Sequence, residues 1–593
     1  MKNRIHYSFI AVVALMLSAC SSQKKEAADL DKQFAAFEDI FLDAYWKQHP
    51  SSAVFVGYGK YYDLLIIPDS NAVASDIAFC NAWIDSLNKM DFNALNDNNK
   101  ISYRIIKNQL ESDRWYITDF KVHEWNASVY NLSGECDYII NQEYAPLDTR
   151  LRFLSGHLEN ADRYYAAALG MLGNPTKEHL QLAIKQNMGG LAVFGDALSD
   201  SIKSSGLSED EKALLEKNIA KTKTAMTAFA DSLKAMASDK NREFKNYRIG
   251  KELFTEKFKY DLVTDLTPEE TYKQAMEEKA MYLQKMVKIA GDLWPKYYDR
   301  QPRPKDDLQA VQMVMDKIQL QHASPKDFFD TLTNQVHRLK RFIIEKDLFD
   351  FDTLNPPIKV RLMLEYARGF AIASAEFTPP YQKQGTTYYN IDDLTQYPPE
   401  KAEGSLREYN NYGCQFLSIH EAVPGHCLQG IYNNKKSPDI VRAVFQNGAM
   451  IEGWAVYTES MMFEEGWGGK EPELEMALYK LKLRELANVL IDYQIQCLDY
   501  PKDSIIRLLT VDCFQTQAQA EEKYNRATLS QVQLCSYYTG ATAIRDLREE
   551  YKKKLGDVYS LKSFHETFLS FGSSPVKYIR ERMLEDSKPK PKN

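Results

Sequence analysis

A proline and a glycine stand between His420 and His426, and this interval constrains the fold more than any other stretch: Ser418-Ile419-His420-Glu421-Ala422-Val423-Pro424-Gly425-His426. Histidines four apart on a helix lie about 40° apart on one face and can share a metal ion, whereas six apart they point about 240° around from one another. An unbroken helix cannot bring both imidazoles to one ion. Pro424 removes a backbone donor and clashes with the preceding turn, and Gly425 accepts the left-handed conformations that a bulge demands. The spacing predicts a helix with two residues looped out, which returns His426 to the face of His420. A second helical segment, Met450 to Glu459, carries Glu452 and Glu459 two turns apart on one face.

Two imidazoles and a carboxylate suit zinc, and a fourth position left to water suits hydrolysis. In that reading His420, His426 and Glu452 bind one Zn2+ per chain. Glu421, beside a ligand but outside the ligand set, takes the proton of the attacking water. Glu459 orients a ligand or binds substrate, while Trp454 and Tyr457 pack. His123-Glu124 and His565-Glu566 have no second histidine at a usable distance, so a bare His-Glu pair is not the signal. The competing reading of these residues is a satisfied buried His/Glu network without metal.

The first 22 residues have a basic start (Lys2, Arg4), an apolar stretch from Phe9 to Leu17 and a small-residue exit, the pattern of a signal peptide. Leu17-Ser18-Ala19-Cys20 resembles the bacterial lipobox: residues 1–19 are removed, Cys20 carries the lipid, and 20–33 form a tether to a body over 34–593. Plain secretion with cleavage near Ala19 is the alternative. Ser21 in place of an aspartate is a weak signal for the outer membrane. No later run is long and apolar enough to span a bilayer, so a lipid anchor is the expected membrane contact, with the body facing the periplasm or the exterior. A formal net charge of −8 leaves no electrostatic footprint for nucleic acid. Seven cysteines remain besides Cys20, an odd number without a C-x-x-C pair; Cys414, Cys427 and Cys535 read as small buried hydrophobes.

With no Gly/Ser-rich or Pro-rich linker and no repeat, the chain reads as one mostly α body, allowing two lobes with the catalytic part over about 350–593. Thr267-Pro268-Glu269-Glu270 is a helix start with Thr267 as N-cap and Glu270 placed for a capping box. Tyr272, Met276, Leu283, Met286, Val287 and Ala290 then form a core stripe. Ser324-Pro325-Lys326-Asp327 opens another helix. Ile358–Leu364, Phe370–Phe377 and Thr386–Ile391 are β-compatible and predict a small sheet beside the His420 helix. Tyr388, Tyr389 and Asn390 are the candidate edge for holding an extended substrate, against the reading of packed tyrosines and a turn asparagine. Beyond Gly469 the chain is helical, with Ser560–Gly572 as a capped terminal helix. Tyr537, taken alone, is core packing.

H-E-A-V-P-G-H, E-G-W-A-V-Y-T-E, the late Q-L-x-x-Y-x-x-G (Gln533, Leu534, Tyr537, Gly540) and F-H-x-x-x-L (Phe564, His565, Leu569) together resemble the DUF885 family of bacterial proteins, many of them lipoproteins, from roughly Phe34 to the C-terminus. That family looks like a relative of the gluzincin metallopeptidases. The spacing of Glu452 and Glu459 is similar to that of thimet oligopeptidase, whose first glutamate binds zinc, and dipeptidyl peptidase III shows that one extra residue between the histidines still permits chelation. The resemblance implies a mostly α, zincin-like fold, the ligands His420, His426 and Glu452, the base Glu421, and Tyr537 as oxyanion donor. Separately, Tyr538 is a substrate-binding candidate. One departure is Gln496, where many members have histidine a turn after the aspartate that matches Asp492. The expected function is a zinc metallopeptidase of the cell envelope acting on short peptides. Its rivals are a non-catalytic peptide- or glycan-binding lipoprotein and a pseudo-enzyme that keeps zinc for structure.

Overall fold

The computed structural model describes residues 29–350, 358–363, 371–382 and 385–586. The expected signal peptide and Cys20 lie outside those residues, as do Leu364 and Phe370 of the expected strands. Two units make up the described chain: residues up to Gly173 with Ala183–Ser238, and Asn174–Leu182 with the residues from Asp239 onward.

The first unit is helical. Ser70–Asn88 packs on Asp97–Thr118, and Ala161–Met171 on Glu209–Ser238. Short polar side chains start these helices: Asp69 accepts from the backbone N–H of Asn71 and Ala72, and Asn96 from that of Asn99. The expected tether over 20–33 overlaps a helix that spans 29–48. Asp31 ties this helix down by accepting from Asn96 N (2.9 Å) and Asn99 Nδ2 (2.8 Å), and the fully buried Phe34 and Phe41 anchor one face. Deeper inside, Glu135 and His157 form a 3.1 Å ion pair.

The second unit holds every candidate site residue that is described. Within it, helix α1 (Pro268–Tyr298) packs along a later 26-residue helix, Pro472–Cys497, through Met286, Ala290 and Leu293 against Leu483, Ala487 and Ile491. Thr267 and Glu270 form the expected capping box. The stripe is core except at Met276, which is 39% exposed. At Ser324 the helix starts later than expected, at Phe328, although Ser324 and Asp327 exchange capping bonds.

Strands β1 (Lys359–Leu362), β2 (Ala373–Glu376) and β3 (Tyr388–Ile391) form a sheet of order β1-β3-β2, with β3 parallel to β1 and antiparallel to β2. The segment Tyr388-Tyr389-Asn390 is therefore the central strand, not an edge: partners on both sides occupy its backbone, so no extended substrate can pair with it. Its side chains are engaged as well. Asn390 Oδ1 accepts from Arg361 Nε (2.7 Å), the Arg361 guanidinium lies 3.7 Å over the Tyr388 ring, and buried Tyr389 sits 3.3 Å from Ser418 Oγ. That last contact sets the sheet against α2 (Gly413–Glu421), which is followed by α3 (His426–Lys436), α4 (Gly448–Glu464), α5 (the Pro472–Cys497 helix), α6 (Gln517–Leu529) and α7 (Ser536–Leu555). The helix Leu561–Leu569 is capped by Ser560 as expected, but Val576–Asp586 follows it, so it is not terminal.

Candidate metal centre

Helix α2 ends at Glu421 and α3 begins at His426, so the expected looped-out helix is two helices joined by Ala422-Val423-Pro424-Gly425. The hydrogen-bond ladder nevertheless continues across the break. Gly425 N donates to Ile419 O (2.9 Å) and Leu428 N to Ala422 O (3.4 Å), each reaching back six residues where a regular helix reaches four. Two inserted residues are taken up in these longer bonds. Gly425 has φ −75°, so left-handed freedom is not why glycine stands there. The reason is close approach: a Cβ at 425 would lie 1.9 Å from His420 O and 2.4 Å from Ile419 O. Trp454 of α4, read from sequence as packing alone, also fixes the junction, its indole N–H donating to Pro424 O at 2.9 Å.

The insertion turns both histidines toward α4. His420 Nε2 lies 3.8 Å and His426 Nε2 3.6 Å from Glu452 Oε2, and one nitrogen or oxygen from each residue falls within 4.8 Å of the others. Ligand atoms around tetrahedral zinc, with bonds of about 2.0–2.1 Å, sit about 3.4 Å apart, so a small contraction of this trio would close it on an ion. The side chains are 17%, 12% and 24% exposed, leaving the centre open to solvent on one side. Glu459 Oε1 lies 2.7 Å from His420 Nδ1, which keeps a proton on that nitrogen and presents Nε2 to the centre. Burial opposes charge on Glu452, but His420 and His426 outweigh it and hold its carboxyl well below the usual range. Burial likewise disfavours charged His420, and Glu452 with Glu459 outweighs it, raising the imidazole. Next to Glu459, Lys482 pairs with Glu485 at 3.0 Å; both are buried, and Lys482 balances the two carboxylates.

The other candidates are scattered. Tyr538 is buried and donates to Glu278 Oε1 (3.0 Å) in a pocket also lined by Tyr457, Lys482, Arg545 and Arg548. The Tyr537 hydroxyl lies 3.4 Å from Arg526 Nη2. Its helix α7 crosses α4 in backbone contact: a Cβ on Gly453 would come within 2.3 Å of Gly540, and one on Gly540 within 1.7 Å of Ala449 O. The glycines of E-G-W and Y-x-x-G are thus one helix crossing that sets Tyr537 and Glu452 on adjoining helices. Tyr457 contacts buried His565 Nε2 (2.9 Å), whose pKa burial pushes down to about 3, so His565 is neutral and structural. Sequence reading missed Lys482, Glu485 and Asn488. Their signal is a helix buried on every side from Glu485 to Gln496 yet carrying polar residues at 485, 488, 492 and 496, one helical stripe.

Residues 50–583 match the family described as bacterial proteins of unknown function, DUF885. The chain belongs to that family. A solved structure from Shewanella oneidensis, described as a "putative lipoprotein of unknown function", is 41% identical, covers 93% of this chain and 99% of its own, and superposes with a TM-score of 0.84. A "putative lipoprotein" from Colwellia psychrerythraea shares the fold at 17% identity, with 94% and 99% coverage and a TM-score of 0.76. No curated protein matches this chain. Among the described residues no helix is long and apolar enough to cross a membrane.

Proposed function

We propose that this DUF885 protein is a zinc-dependent peptidase of the bacterial envelope, with a zincin-like centre of the gluzincin kind. The observation that carries the reading is the convergence of His420 Nε2, His426 Nε2 and Glu452 Oε2 across a two-residue insertion, with Glu459 on the far nitrogen of His420. A zinc ion held there supplies Lewis acidity toward a scissile carbonyl and acidifies water. Glu421, whose charge His420 senses, accepts the proton of that water and passes it to the departing amine. Glu459 holds the His420 tautomer, and Tyr537, on the helix pressed against α4, donates to the developing oxyanion. The anchor is a lipid on Cys20, supported by the description of the 41%-identical relative.

Elemental mass spectrometry of the protein lacking residues 1–20 tests the centre. The expected result is one zinc per chain in the wild type and in Glu421→Gln, and none in His426→Ala. Short-peptide hydrolysis by Glu421→Gln falls by about 10²–10⁴-fold. Wild-type protein that takes up no zinc when incubated with it overturns the reading in favour of a non-catalytic binding lipoprotein. Hydrolysis indifferent to Glu421→Gln overturns the assigned base.

A further inference from the structure

Lys480, Arg484 and Lys523 feel the charge of one carboxylate, Glu408, and a fourth cation, Arg526, lies against Tyr537. Glu408 meets Lys480 at 2.5 Å and Arg484 at 3.5 Å. Lys523 Nζ, on α6, donates to two neutral oxygens, Asn488 Oδ1 (2.8 Å) and the Arg484 carbonyl (3.3 Å). Arg526 Nη2 contacts Gln533 Oε1 (2.9 Å) and the Tyr537 hydroxyl. Asp492 also senses Arg526, but burial pushes its pKa up to about 8, so it is protonated at neutral pH and offsets nothing. Burial, then the charges of Arg484 and Arg526, drive the Lys523 ammonium well below its usual range, a shift that an anion bound beside it reverses. The Arg484 side chain is 43% exposed, Lys523 is half-buried and Arg526 is exposed, so an anion can reach all three from solvent.

Cations gathered in excess of their counter-charges repel one another, and a bound anion relieves that repulsion. Two guanidinium forks, an ammonium, and the hydroxyl of Tyr409 on Arg484 match a carboxylate, which takes several charge-assisted hydrogen bonds at once. The location ties this cluster to the metal centre. Tyr537 precedes Gly540 by one helical turn, about 5 Å, and Gly540 lies in backbone contact with Gly453, the neighbour of Glu452.

We infer that Arg484, Lys523 and Arg526 form an anion subsite that receives the free C-terminal carboxylate of the peptide substrate. The subsite rests on the peptidase reading for its ligand but not for its existence. The C-terminal carboxylate is the one anion that every unblocked peptide carries whatever its sequence, and it suits two guanidinium forks.

The test is calorimetric binding of one short peptide in three forms, as free acid, as C-terminal amide, and as amide with an internal aspartate, to Glu421→Gln with and without zinc. Measuring the metal-free protein separates this subsite from a carboxylate resting on zinc. The free acid is expected to bind about tenfold or more tightly than the plain amide, a difference of about 1.4 kcal/mol or more, weakening with salt. Arg526→Gln, at an exposed side chain, is expected to reduce that preference to about twofold or less; Lys523→Gln is the second variant, each checked for native melting. Equal binding of acid and amide overturns the subsite, as does binding of no peptide, or an acid preference that survives both variants. An aspartate amide that matches the free acid overturns the C-terminal assignment. Hydrolysis without acid preference sinks the subsite alone, and acid preference without zinc or hydrolysis sinks the peptidase reading alone.

Discussion

In the first unit His157 meets Glu135 at 3.1 Å with both side chains shut away, 0% and 5% exposed. In the second, two histidines face Glu452 at 3.6 and 3.8 Å, too far for good hydrogen bonds, and the trio stays partly open to solvent. The residue types are the same. A pair in direct contact and shut away from solvent leaves no room for an ion, whereas three groups held apart around a common point by a helix break do. Distance and access, rather than composition, separate a structural histidine from a candidate ligand.

Matched substitutions give the largest test of this contrast. His426→Ala is expected to take zinc from one per chain to none while barely changing global stability. His157→Ala is expected to leave zinc at one per chain and cost about 3–5 kcal/mol in denaturant unfolding, because it strands a buried carboxylate. Zinc loss in His157→Ala, or zinc retention in His426→Ala, would erase the distinction.

Gly425→Ala comes next. The added methyl cannot coexist with His420 O, so the six-residue ladder must open, and metal affinity is expected to drop about 100-fold by competition with a chelator. Unchanged affinity would show that the insertion does not position His426. A smaller effect is expected for Glu459→Gln, which still accepts from His420 Nδ1 but without charge: affinity falls toward the lower end of the roughly 10–100-fold that supporting residues of metal ligands typically contribute.

The smallest effect concerns pH. Burial lowers and Glu135 raises the His157 pKa, with a net rise. A raised folded-state value means that the stabilisation is complete below about pH 6.5, the unfolded value, and is lost as pH rises through the higher folded one. Denaturant midpoints of the wild type should decline modestly across that window, by less than His157→Ala costs outright, and the variant should flatten the decline. An unchanged slope in the variant would assign the pH dependence to another group, with buried Asp492 next in line.

Much of the architecture is legible in the sequence because its causes are local. The Thr267–Glu270 capping box, the α1 stripe and the three short strands each depend on a few neighbouring residues. The stripe fails at Met276, where periodicity cannot say how wide the covering surface is. Strand order is not legible: central and edge strands of this length read alike until their partners are known, so Tyr388-Tyr389-Asn390 reads from sequence as an edge and is the centre. The glycine at 425 does belong to the insertion, but not through its dihedral freedom, since a carbonyl five or six residues back leaves no mark on local dihedral preference.

By itself the sequence determined which residues are available for a metal centre, His420, Glu421, His426 and Glu452, and that the interval between the histidines has to break a helix. Periodicity and capping are set over one or two turns, and those are written in order along the chain. Tertiary structure alone decided that Trp454 clamps Pro424, that Gly453 and Gly540 bring two helices into backbone contact, and that Lys523 meets Asn488 and the Arg484 carbonyl while Arg526 meets Tyr537. Those contacts join residues tens of positions apart, and their free energy comes from packing summed over many helices, which no single stretch of sequence encodes.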